Sequence, residues 1–205
     1  MSMLDMTLRE FSDSLAAKSA VPGGGGACAL AAALGAALGT MVCNYTAGKA
    51  KYAAVEPEIQ ELMIAAEALR KELLACIDGD AEAFEPLSRA YSIPKDDPSR
   101  AEVMEDCLRR AASVPMRILE LSCRGILLHR ELAKKGSALM ASDAGTGVVL
   151  CRGAMYGAAM NVRVNTKLMS DREYADALNA KVDELMAGHR KIADEVYESV
   201  YGRYA

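Results

Sequence analysis

The sequence predicts an all-α fold: one helical domain spanning 1–205, built as a bundle of about six helices. Three observations carry this reading. Apolar residues recur at helical spacing over most of the chain, and no run reads as a convincing strand. The chain is 52% hydrophobic yet has no Trp and only two Phe, so its core is made of Ala, Leu, Met and Val. Small and aliphatic side chains of that kind suit closely packed helices better than a sheet sandwich. At 205 residues one core of moderate size is the natural expectation.

The first helix is expected from about Thr7 to Lys18, where Leu8, Phe11, Leu15 and Ala16 form an i, i+3, i+4 stripe. VPGGGGACALAAALGAALGTMVCNYTAGKAKY, residues 21–52, ends it. Gly23, Gly24, Gly25 and Gly26 follow Pro22 and open a helix from about Gly25 to Ala47, in which Ala27 to Cys43 carries no charge. Glycines let a ligand approach the main chain closely, and the first N–H groups of a helix lack partners. Anion cradle and simple tight turn both fit these facts. The Lys and Ser/Thr of a P-loop are missing, and no strand precedes the turn.

The charge-free run is slightly short for a bilayer span and is rich in Ala and Gly, which favours a buried central helix and no membrane. Ala31, Gly35 and Gly39 leave one face almost without side chains, so another helix can approach it. At the far end Asn44, Thr46, Lys49 and Tyr52 add polar groups. A solvated helix end is the plain reading of that cluster.

A long helical region begins near Glu56, with Pro57 in its first turn and a helical repeat from Ile59 to Ile77. It contains Asp78, Asp80 and Glu82, which as charged residues in a helix would ordinarily face water. Pro86 is expected to bend or split it, and SIPKDDP to end it. Asp97 and Pro98 are expected to cap and start the next helix, with a kink at Pro115 and an end at Gly136. A second small-residue helix runs from about Ser142 to Met169 as the natural mate of the first. Ser142 and Asp143 read as its N-cap. Asn161, Arg163 and Asn165 follow its small residues, and burying such groups without partners is costly. They bind each other across a subunit contact, or they bind a ligand. The last helix, about Asp171 to Tyr201, is the most charged.

The net charge of −4 argues against nucleic-acid binding, which needs a dense basic surface. Among six cysteines no C-x-x-C occurs, and His129 and His189 stand 60 residues apart. A reduced cytoplasmic protein without metal or disulfide is expected. Residues 1–18 are amphipathic and acidic rather than a leader.

PGGG before a small-residue helix, NYTAGKAKY, IDGDAEAF, AYSIPK, SDAG and NVRVN occur in this order along the chain. In this it resembles the cyclodeaminase/methenyltetrahydrofolate cyclohydrolase family, the C-terminal half of formiminotransferase-cyclodeaminase and its free-standing bacterial relatives. The resemblance implies an all-helical homodimer acting on a tetrahydrofolate substrate without metal or organic cofactor. It allows two reactions. Water adds to 5,10-methenyltetrahydrofolate and gives 10-formyltetrahydrofolate, or N10 of 5-formimidoyltetrahydrofolate displaces ammonia. Hydrolysis is the expected activity, because no formiminotransferase half accompanies the chain; cyclodeaminase is the alternative. A non-catalytic helical interaction module is the reading composition alone would allow.

Either reaction needs a base, an acid for the departing nitrogen, and groups that fix the pterin. On the matched positions Asp143 is the first choice for the carboxylate and Asp80 the second. Lys49 is a candidate proton donor or anchor. Asn44, Asn161 and Asn165 suit pterin edges, and Arg163 with the Gly23–Gly26 amides suits the glutamate tail. Tyr52 and Ser142 complete the expected binding set.

Overall fold

Thr7 starts the first helix, α1 (Leu8–Ala16), with a capping box. Its Oγ1 accepts from Glu10 N at 3.2 Å, while Glu10 accepts from Thr7 N at 2.7 Å. The computed structural model describes residues 2–204. After α1 come α2 (Gly24–Asn44), α3 (Glu56–Ala90), α4 (Arg100–Lys135), α5 (Ala141–Thr166) and α6 (Arg172–Tyr201). Three short 3₁₀ turns join them, Met3–Asp5, Ala50–Val55 and Ala138–Met140. No strand occurs among the described residues.

The core forms around α4, which packs against α2, α3, α5 and α6. Its Ile118, Leu119, Leu121 and Ile126 are wholly buried, each contributing about 1.5–3 kcal/mol through removal of apolar surface from water. Above α4 lie the two slim helices, side by side and antiparallel: Gly24 meets Asn161, Gly157 meets Cys28, and Gly35 meets Cys151. The absence of side chains makes this approach possible. A β-carbon at Gly35 would stand 3.0 Å from the Gly147 carbonyl oxygen, and one at Gly157 would stand 2.3 Å from Cys28 Sγ. Helix α3 flanks α2 and helix α6 flanks α5.

Several expectations need correction. Pro86 does not split α3, which continues to Ala90. The carbonyl that a proline there leaves without its helical donor belongs to Glu82, an exposed residue with access to water. Pro98 does not start α4: Asp97 Oδ1 instead accepts from Ser99 N at 2.8 Å, and the helix begins at Arg100. Ser142 and Asp143 are not an N-cap, since Met140 holds that place and both lie in the first turn of α5. Helix α2 is long and apolar enough, by length and composition, to cross a membrane. One of its faces belongs to this core, against α3, α4 and α5; the other is partly open, with Leu34 50% exposed.

Candidate functional site

The glycine turn delivers the N-terminus of α2 to the side of α3 that carries Asp80. Gly26 N donates to Asp80 Oδ2 at 3.1 Å. A β-carbon on Gly25 would fall 2.2 Å from Asp80 Oδ1, and one on Gly24 would fall 3.1 Å from Asn161 Nδ2. At Gly25 a side chain would have to displace the Asp80 carboxylate, whereas at Gly24 the Asn161 amide would need to give by only a few tenths of an ångström. Burial raises the Asp80 carboxyl above the ordinary aspartate value, and the Gly26 N–H offsets this only in part.

Two residues earlier on α3, Asp78 faces elsewhere. It accepts from Met3 N at 2.7 Å and from the Ser2 hydroxyl, fastening the N-terminal segment. Glu82 is exposed. Of the three acidic residues in IDGDAEAF, only Asp80 enters the site.

Helix α5 supplies the opposite wall. Asn161 Nδ2 donates to Gly157 O at 2.8 Å, and Asn165 Nδ2 donates to Asn161 O at 2.8 Å and Ala111 O at 3.3 Å. Pro115 explains the last of these bonds. Lacking an N–H, it cannot donate to the carbonyl four residues back, that of Ala111, and the Asn165 amide takes that acceptor instead. Asn165 uses both amide hydrogens on the backbone and has its side-chain oxygen left for a ligand, whereas Asn161 uses one and keeps a donor as well as its oxygen. Phe84, Pro115 and Val164 add apolar walls to a cleft of about 180 Å³ that also includes Gly23, Gly24 and Gly25. Sequence reasoning missed Phe84 and Pro115 as site residues. Phe84 lies four residues from Asp80, on the same helical face, and this spacing was the available signal.

The other expected residues gather at the far end of the bundle. Asn44 and Lys49 are exposed, and Lys49 Nζ lies 5.8 Å from the centre of the Tyr45 ring. Tyr52 Oη accepts from Ala138 N at 3.0 Å, which together with Ser137 and the nearby lysines holds its phenol below the usual value. Buried Thr46 accepts from Ser137 N at 2.8 Å. These bonds tie the loop after α2 to the start of α5, where Ser142 is exposed and Asp143 half-buried. Asp143 and Asn161 are 18 residues apart, five helical turns, so they share an azimuth about 27 Å apart. One chain therefore does not bring Asp143, Lys49 and Asn44 to Asp80. Arg163 joins neither group: it pairs with Asp183 of α6 on the exposed surface. Among the described residues no three His, Cys, Asp or Glu side chains converge to hold a metal ion.

The profile of the formiminotransferase-cyclodeaminase family matches residues 7–184. Methenyltetrahydrofolate cyclohydrolase of Methylorubrum extorquens is 37% identical over 199 residues, covering 95% of each chain. Formimidoyltransferase-cyclodeaminase of Mus musculus is 31% identical over 98% of this chain, which spans 38% of that longer protein. The crystal structure of formiminotetrahydrofolate cyclodeaminase from Thermotoga maritima superimposes with a TM-score of 0.91 at 29% identity, over 98% of this chain and 99% of that one.

Proposed function

Because this chain belongs to the formiminotransferase-cyclodeaminase family, we propose that it interconverts one-carbon units on tetrahydrofolate as a methenyltetrahydrofolate cyclohydrolase. The observation that carries the mechanism is Asp80, a half-buried carboxylate with a raised pKa, facing a cleft lined by two asparagines. A helical interaction module has no use for such a group, since burying a carboxylate disfavours its charged form.

Asp80 replaces Asp143 as the first choice for the base. Its carboxylate takes one proton from the water whose oxygen bonds to the methenyl carbon. The C–N5 bond then breaks with its electron pair passing to N5, and Asp80 returns the proton there. The second water proton leaves to solvent, and the one-carbon unit stays on N10 as a formyl group. A raised pKa suits a group that must both accept and return a proton near neutrality. In its charged form Asp80 also stabilises the cationic N–C–N unit. The Asn161 and Asn165 oxygens accept from pterin N–H groups and fix the ring. No step calls on a metal or an organic cofactor.

Cyclodeaminase is the second reading, favoured by the likeness to the Thermotoga maritima enzyme. Both reactions pass through a tetrahedral carbon between two nitrogens, so this cleft serves either. The higher identity to the Methylorubrum extorquens cyclohydrolase favours hydrolysis. We place the protein in the cytoplasm as a homodimer, with neither nucleic acid nor membrane as partner; the reduced cysteines support the compartment.

The test supplies 5,10-methenyltetrahydrofolate and 5-formimidoyltetrahydrofolate in parallel, reading methenyl absorbance and ammonia. Methenyl loss above the uncatalysed rate is expected. Ammonia release without methenyl hydrolysis would establish the deaminase instead.

A further inference from the structure

We propose that the glutamate tail of the folate is held in a second hollow, at the turn between α3 and α4, where Lys95 takes its carboxylate. The proposal rests on the folate reading above and adds where the far end of the substrate is bound.

The Asp80 cleft alone is too small for that substrate. At about 180 Å³ it lies below the roughly 300–1,000 Å³ of pockets that enclose drug-sized ligands, and tetrahydrofolate carries a pterin, a benzoyl ring and a glutamate. Its side chains suit the pterin end. Asp80 is an acid and the two asparagines are neutral, so none of them attracts a carboxylate. Arg163, expected to hold the tail, is taken by Asp183 on the outer surface.

A hollow of about 430 Å³ continues the cleft toward the end of the bundle. The same three elements line both. On α3, Phe84 lines the cleft and Tyr91, two helical turns on, lines the hollow. On α4, Ala111 lines the cleft and Leu108, one turn away, lines the hollow. On the third side the pair is Val164 and Leu168, four residues apart and reaching just past the end of α5. Spacings of seven, three and four keep each pair on one helical face. Helix α2 begins at Gly24 and does not extend over this part of α4. Asp80 and Tyr91 are eleven residues apart on α3, about 16 Å, a span for the benzoyl and glutamate parts to cover. Cleft and hollow together reach the volume that such a ligand needs.

The hollow holds uncommitted cations. Lys95 is exposed and makes no ion pair among the described residues. Arg100 donates through Nη1 to the carbonyl oxygens of Ala90, at 3.4 Å, and Ile93, which leaves Nε and Nη2 without a partner among the described residues. The two acids of the hollow are engaged. Asp97 Oδ1 accepts from Ser99 N at 2.8 Å, and Glu105 accepts from Ser170 N at 2.6 Å and from Arg109 Nε at 3.3 Å. A carboxylate arriving here meets a lysine and the free edge of a guanidinium as donors. Tyr91, Met104 and Leu108 offer apolar surface to the ring that precedes it.

The test compares 5,10-methenyltetrahydrofolate with 5,10-methenyltetrahydropteroate, which lacks the glutamate, as substrates. Separately from turnover, calorimetry reads the binding of tetrahydrofolate and tetrahydropteroate. Lys95→Met should raise KM and weaken binding about tenfold for the folate, the usual scale for one lost charge-assisted hydrogen bond, and leave the pteroate as in wild type. Lys95→Arg should keep most of the folate affinity. Lys191→Met, which removes another exposed charge on α6, should change neither ligand. No loss for the folate, an equal loss for both ligands, or the same loss from Lys191→Met overturns the proposal. If wild type hydrolyses neither methenyl compound, the folate reading fails, and calorimetry still decides the carboxylate site. A preference for the folate that Lys95→Met abolishes upholds it; no preference, or no binding, overturns it.

Discussion

The α-carbon of Gly25 faces the Asp80 carboxylate so closely that a β-carbon there would stand 2.2 Å from Oδ1 and 2.4 Å from Cγ. Gly25→Ala must therefore displace Asp80 while leaving α2 a better helix former. Turnover should fall about a hundredfold, the usual cost of moving a reacting group by an ångström. Circular dichroism should show helix content unchanged. Wild-type turnover in Gly25→Ala would separate Asp80 from the chemistry.

Burial raises the Asp80 carboxyl, and a base works only when unprotonated. The pH profile of kcat/KM should therefore have an acid limb whose midpoint lies above the ordinary aspartate value of about 4, with activity lost as pH falls through it. A profile flat down to pH 4 would contradict this assignment.

Asn165 answers a backbone problem set by Pro115. Removing its amide leaves the Ala111 carbonyl without its donor, so Asn165→Ala should cost about 1–3 kcal/mol in urea unfolding. Pro115→Ala restores a main-chain donor four residues along, so the same Asn165→Ala change should cost less in that background. Equal costs in the two backgrounds would show that the pair is not coupled.

His129 is buried at the centre of the bundle, with Nε2 2.9 Å from the Gly35 carbonyl oxygen and no partner for Nδ1. A carbonyl can only accept, so the proton sits on Nε2. Burial pushes the imidazole pKa down to about 4 from 6.5. The unfolded chain therefore binds a proton that the folded one refuses, and stability present above pH 6.5 is lost as pH falls toward 4. Between pH 7 and 5 this amounts to about 2 kcal/mol. Asp80, raised rather than lowered, pulls the other way, so the informative quantity is the difference between wild type and His129→Gln. The variant should lose less stability over this interval; an identical loss would clear His129 of the effect.

The helices were legible in the sequence because their signals are local: the apolar stripe from Leu8 to Ala16, the glycine faces, and the apolar repeats of α3 and α4. The site was legible only in part. Gly23–Gly25, Asp80, Asn161 and Asn165 meet in one cleft, with Gly26 N bonded to Asp80, but the choice of Asp143 over Asp80 depended on a fact no spacing carries. Asp80 lies under the α2 N-terminus only because α2 and α3 pack together. Arg163 read as a buried guanidinium among small residues; helical rotation instead turns it outward to Asp183. Pro86 read as a bend or a split and Pro115 as a kink; α3 and α4 run on through both, since a long helix absorbs a proline when the freed carbonyl finds water or an amide.

The most direct measurement of the central claim is hydrolysis of 5,10-methenyltetrahydrofolate by Asp80→Asn, followed as loss of methenyl absorbance beside wild type. Turnover should fall at least about a hundredfold. The thermal midpoint at pH 7 should stay level or rise, since the variant removes a charge that burial disfavours. A folded Asp80→Asn protein that hydrolyses the substrate at the wild-type rate would contradict the account and return the base to Asp143.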